Sequence, residues 1–166
     1  MAVLSAVVSG LAFLGGSRFT GLFHGPSPLL GGLWSMISSL VVLQSSRRHT
    51  VNSSLRRVLG TLVGAVVSAV YLSVLPFSAW GMVACVGVTV LIGEMVGAPD
   101  HARLAAITAV IVMGTVVANP AVPPAVAAAL RFTEACIGTA VAVCAVFLWP
   151  QPNRDSRARE EAERLD

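Results

Sequence analysis

The sequence predicts an all-α membrane protein of six transmembrane helices built as two inverted three-helix repeats. Three observations carry that expectation. Of 166 residues, 55% are hydrophobic and only 11% charged, whereas a soluble domain has about 25% charged residues. Six apolar stretches, each too long and too irregular in alternation for a barrel strand, are separated by turn and stop chemistry. An arginine, glycine and proline recur at one spacing, as Arg57, Gly64 and Pro76 and again as Arg131, Gly138 and Pro150. So apolar a chain could not cover its outside with polar groups in water, and the lipid bilayer is its natural partner.

The first stretch, 2–17, opens without a positive n-region, and Gly15, Gly16, Ser17 and Arg18 make a poor cleavage site, so it reads as a retained span. The second, 29–46, follows Gly25, Pro26, Ser27 and Pro28 and ends at Arg47, Arg48 and His49. It carries Ser35, Ser38 and Ser39, which can hydrogen-bond across helices or face a pore. The third, 57–75, stops at Pro76, and the fourth, 79–97, stops at Gly97, Ala98, Pro99 and Asp100. The fifth, 103–119, ends at Asn119 and Pro120, and the sixth, 124–149, follows Pro123. Trp34, Trp80 and Trp149 fall near span ends and fit interfacial belts. Residues 1–150 form the membrane domain, with repeat one at 1–76 and repeat two at 77–150. Residues 151–166 form a charged tail that reads as a solvated cytoplasmic end.

Orientation follows from the arginines. Arg47, Arg48, Arg56, Arg57, Arg103 and the tail's Arg154, Arg157, Arg159 and Arg164 lie on one side, leaving Arg18 and Arg131 on the other. The positive-inside rule puts both termini in the cytoplasm of a cell (inner or plasma) membrane. The offset of 74 residues from Arg57 to Arg131 also lays Leu33 and Trp34 on Ile107 and Thr108, and Val67 on Val141. With three spans per copy, the second copy enters from the opposite side. Arg57 then lies near the cytoplasmic face and Arg131 near the external face, as two rings of positive charge at opposite ends of one pathway.

Positions 57, 60, 61, 64 and 68 share one helical face. Gly60, Gly64 and Ser68 form a small-residue seam suited to close helix packing, and Arg57 and Thr61 stand where a polar path could open at its end. In the sixth span Arg131, Glu134, Gly138 and Ala142 share a face, and Arg131 can pair with Glu134 three residues on. Two readings stand there. Either Arg131 is an interfacial arginine neutralised by Glu134, or it contacts an anion with Glu134 as a gate or proton-linked partner. Glu94 reads as a near-surface residue. Cys85, Cys136 and Cys144 read as packing residues, and no metal, cofactor, catalytic or nucleic-acid motif is found, the chain having no lysine and no basic stripe.

The run from Leu33 and Trp34 to Gln44 and Ser45, then Thr50, then Arg57, Gly60, Thr61 and Gly64 resembles the fusaric-acid-resistance/aromatic acid exporter superfamily. Arg131 to Gly138 and on to Trp149 and Pro150 resembles the end of the same module. The resemblance spans residues 20–150 and extends more distantly to plant aluminium-activated malate channels. It implies a six-helix module, working as a homodimer or larger homo-oligomer, that exports organic or aromatic acid anions. Arg57, Thr61, Ser38, Arg131 and Glu134 would line the anion path, and Gly60, Gly64, Ser68 and Gly138 would pack it. Many members of the superfamily continue into a cytoplasmic domain or a second membrane module. A passive anion channel and a non-transporting membrane subunit are the alternatives.

Overall fold

The computed structural model describes residues 2–23, 27–44, 46–97 and 99–149, except the side chain of Asp100. The predicted tail, Ser45, Pro150 and the Gly25–Pro26 turn lie outside the described residues. Six helices follow one another: α1 (Ala2–Thr20), α2 (Pro28–Val42), α3 (Arg47–Val74), α4 (Ala79–Met95), α5 (Pro99–Ala118) and α6 (Pro124–Leu148). No strand occurs among the described residues.

Their boundaries follow local chemistry. Pro28 and Pro124 begin α2 and α6, where a proline's missing N–H costs nothing. Ser78 caps α4 by accepting from the Gly81 N–H at 3.0 Å. Gly97, at φ +69°, ends that helix in the left-handed region and donates to the Glu94 carbonyl at 2.9 Å. The short turn between α2 and α3 is closed by Thr50. Its hydroxyl accepts from the Gln44 N–H at 3.0 Å and donates to the Gln44 carbonyl at 3.2 Å.

The third helix corrects the sequence reading. It begins at Arg47, ten positions before Arg57 (47 to 57), and has 28 residues. The segment from Arg47 to Arg56 holds no glycine or proline, so the polar overhang continues the helix into its apolar part. Arg57 is therefore well inside a helix and not at its head.

The side-chain distribution is that of a protein dissolved in lipid. Many buried positions are small or polar, among them Gly31, Gly32, Ser35, Ser38 and Ser39 on α2, and Thr50, Thr61, Gly64 and Ser68 on α3. Large apolar side chains face outward, including Val3, Val7, Leu11 and Leu14 on α1 and Trp80, Val83, Val88 and Leu91 on α4. In water such a surface would associate; in a bilayer, small residues inside let helices approach where hydrophobicity cannot drive them together. Four helices, α1, α3, α5 and α6, are long and apolar enough to cross a membrane. The other two, α2 with 15 residues and α4 with 17, are shorter apolar helices.

Packing is centred on α3 and α6, which lie against each other. Helix α3 packs on α5 and α4, α6 packs on α2 and α1, α1 pairs with α2, and α4 pairs with α5. Two of the glycines let α3 and α6 rest on the backbone of α5 and α2. A Cβ on Gly64 would collide with the Ala105 carbonyl and Thr108 of α5, and one on Gly138 with the Ser35 carbonyl and Ser38 of α2. This pairing relates α2 to α5 by an offset of 70 residues (Ser35 to Ala105, Ser38 to Thr108). The offset of 74 had laid Leu33 and Trp34 on Ile107 and Thr108, so contact has slipped by one helical turn against the sequence register.

Candidate functional site

The polar groups of the bundle gather where α6 meets α1 and α2. On α6, Arg131 and Glu134 are 3% and 5% exposed, and the Arg131 Nη1 donates to Glu134 Oε2 at 3.2 Å. The other carboxylate oxygen, Oε1, accepts from the Thr20 hydroxyl at 3.0 Å, at the last residue of α1. The Ser35 hydroxyl of α2 donates to the Glu134 backbone carbonyl at 3.0 Å. One turn of α6 is thereby tied to both neighbouring helices. The guanidinium of Arg131 lies over the Trp34 ring, 4.4 Å from its centroid, a contact worth about 2 kcal/mol when desolvated. Trp34, expected in an interfacial belt, instead forms the floor beneath a buried cation. Trp80 is exposed, as a belt residue would be.

Arg57 of α3 is equally buried, at 3% exposure. Its Nη2 donates to the Ser38 hydroxyl at 3.3 Å, and it makes no ion pair among the described residues. Ser38 stands one turn beyond Trp34 on α2, so the two arginines converge on adjacent turns of a single helix. Each lies within electrostatic reach of the other. Two rings of charge at opposite ends of a pathway are thus replaced by one cluster in the α2–α3–α6 core.

Among the described residues, several buried polar atoms of α3 and α6 have no hydrogen-bond partner: Arg57 Nε, Thr61 Oγ1, Arg131 Nε and Nη2, and Thr139 Oγ1. Burying such groups unpaired costs about 1–3 kcal/mol each, more when charged. A cavity of about 40 Å³ reaches Arg131 and Glu134, lined also by Thr20, Leu30, Trp34 and Asn119. That volume holds about three waters. A larger cavity of about 180 Å³ lies between α3, α4 and α5, is apolar apart from Thr89 and His101, and touches neither arginine.

The remaining predicted residues divide by role. Gly60 and Gly64 press α3 onto α5, and Gly138 presses α6 onto α2. The Ser68 hydroxyl donates to the Gly64 carbonyl of its own helix at 2.7 Å, so it is spent within α3. Glu94 is exposed and apart from the cluster. Sequence reasoning missed Trp34 and Thr20 as partners of the charged pair. Thr20, a hydroxyl at the last residue of an apolar helix, was a weak local sign. No group of three or more metal-ligating side chains occurs among the described residues.

No curated protein and no solved structure matches the chain. A family model does, over residues 3–145, most of the chain. That match and the outward-facing apolar helices make this a multi-pass membrane protein with a transport- or resistance-related function. The chain belongs to the fusaric acid resistance protein-like family.

Proposed function

We propose that the protein moves organic acid anions, aromatic ones among them, out across a cell membrane through the α2–α3–α6 core. The observation that carries this is the charge of that core: two buried guanidiniums and one carboxylate, with Arg57 in no ion pair among the described residues. An isolated buried cation costs several kcal/mol even after relaxation. One monovalent anion offsets it. Arg131, Glu134, Arg57, Ser38 and Thr61 supply the polar lining, and Gly60, Gly64 and Gly138 the close crossings around it.

The same proposal includes six spans in two inverted three-helix repeats, 1–76 and 77–150, with both termini cytoplasmic. Exchanging α1 with α4, α2 with α5 and α3 with α6 maps each helix pairing onto another or onto itself, which supports the internal two-fold. The short α2 and α4 measure about 22 and 26 Å at 1.5 Å per residue, against a hydrocarbon core of about 30 Å. They occupy equivalent positions neither by number nor by packing, α2 lying centrally against α6 and α4 peripherally against α5. The positive-inside bias supports the orientation. A homodimer or larger homo-oligomer suits so small a module.

Proteoliposomes holding the full chain test the function. Preloaded benzoate should leave faster than from empty liposomes, and Arg131→Ala and Arg57→Ala should each lower that rate at least tenfold while retaining helical circular dichroism. Wild-type flux in both folded variants would remove the arginines from the path.

A further inference from the structure

Arg131 uses its five N–H donors unevenly. Nη1 is held by Glu134, while Nε and Nη2 have no partner among the described residues although the side chain is 97% buried. Nε–H and the nearer Nη2–H lie parallel along one edge of the planar guanidinium, at the separation of the two oxygens of a carboxylate. The side chain borders the cavity of about 40 Å³, and its Cζ lies 4.4 Å from the centroid of the Trp34 ring. Glu134 is itself fixed by Thr20 and is not required to move.

Resting on the anion-transport reading, the geometry points to the Nε/Nη2 edge of Arg131 as a side-on seat for a single carboxylate, with Glu134 remaining on Nη1. Charge and size narrow the ligand to a monocarboxylate. The core carries one net positive charge, so a dianion such as sulfate or a dicarboxylate overshoots it, and a halide offers one acceptor where the edge presents two donors. The cavity of about 40 Å³ is matched to a carboxylate group more closely than to a whole aromatic acid. The body of the acid therefore lies along the apolar part of the lining, Leu30, Val122 and Leu130. Those apolar walls suit an acid with a hydrophobic body.

The test is equilibrium binding to the full chain in nanodiscs, by calorimetry, with benzoate, chloride and sulfate as probes. The wild type should prefer benzoate over both by about tenfold or more. Arg131→Lys keeps the charge and removes the two-donor edge, so it should lose about tenfold in benzoate affinity while chloride affinity changes little. If the lysine variant does not fold, the wild type decides the matter alone. With ¹⁵N-arginine protein and ¹³C-carboxyl benzoate, solid-state NMR should find the carboxyl carbon in close contact with an Nε as well as an Nη nitrogen. Equal binding of benzoate and chloride, a folded lysine variant that keeps the preference, or benzoate contacting no Nε overturns the seat. These outcomes leave the anion path standing, whereas absence of binding by any of the three anions overturns both.

Discussion

Arg131 and Glu134 show how much one pair three residues apart can hold. The pair is held by Thr20 from α1 and by Trp34 and Ser35 from α2, with one edge of Arg131 left toward the cavity. Removing one member of a buried pair is costlier than the pair's net worth, because the survivor is left charged and unmatched. Glu134→Ala should therefore destabilise the protein by about 3–5 kcal/mol, read as a shift in the unfolding midpoint of bicelle-embedded protein titrated with SDS. Trp34→Leu should cost about 2 kcal/mol by the same measurement, since it removes the ring face but keeps apolar bulk. A midpoint unchanged in either variant would mean the guanidinium is already well solvated. The Arg131–Glu134 pairing was legible in the sequence because it is local. Its other partners were not: Thr20 and Trp34 are 111 and 97 positions before Arg131 (131 less 20, 131 less 34), and no helical period reaches across such gaps.

At the level of helices, the small residues decide how the bundle closes. Gly64 rests on a carbonyl of α5 and Gly138 on a carbonyl of α2, where a side chain meets backbone that cannot rotate away. Gly64→Leu and Gly138→Leu should each prevent assembly or cost several kcal/mol. Gly87→Leu, where a Cβ meets nothing within 4 Å, should be tolerated. Fluorescence-detected elution of the tagged variants would separate these outcomes, and a normal peak for Gly138→Leu would contradict the close crossing. The glycine seam was readable from spacing alone, and so were all six helices to within a few residues, with one exception. Apolar content marks the part of a helix in lipid, not where the helix begins. The early start of α3 at Arg47 was hidden for that reason, and with it the interior position of Arg57. The one-turn slip between α2 and α5 was hidden too, because it is fixed by which carbonyl each glycine meets.

The molecule as a whole keeps its charge imbalance inside and its bulk outside. A folded state that binds anions and an unfolded state that does not are linked by mass action, so ligand should stabilise the protein. Benzoate at about 100 times its dissociation constant should add about 2.7 kcal/mol. The thermal midpoint of the detergent-solubilised chain should rise with benzoate concentration. It should not do so in Arg57→Ala, where the core charge falls to zero. An equal rise in that variant would trace the stabilisation to the surface.

The reason Arg57 has no acid beside it can be found in the glycine seam. Offset by 74 residues, Glu134 falls on Gly60, three residues beyond Arg57 just as Glu134 is three beyond Arg131. A Cβ at Gly60 would stand 2.7 Å from the Leu104 Cβ and 2.9 Å from the His101 carbonyl oxygen. Helix α5 therefore occupies the ground on which a matching carboxylate would have to grow. The contact of α3 with α5 thus keeps the second half's Arg-x-x-Glu arrangement from being repeated at Arg57. Among the described residues no carboxylate pairs with Arg57, and the closeness of α3 and α5 explains why its own helix supplies none three residues on.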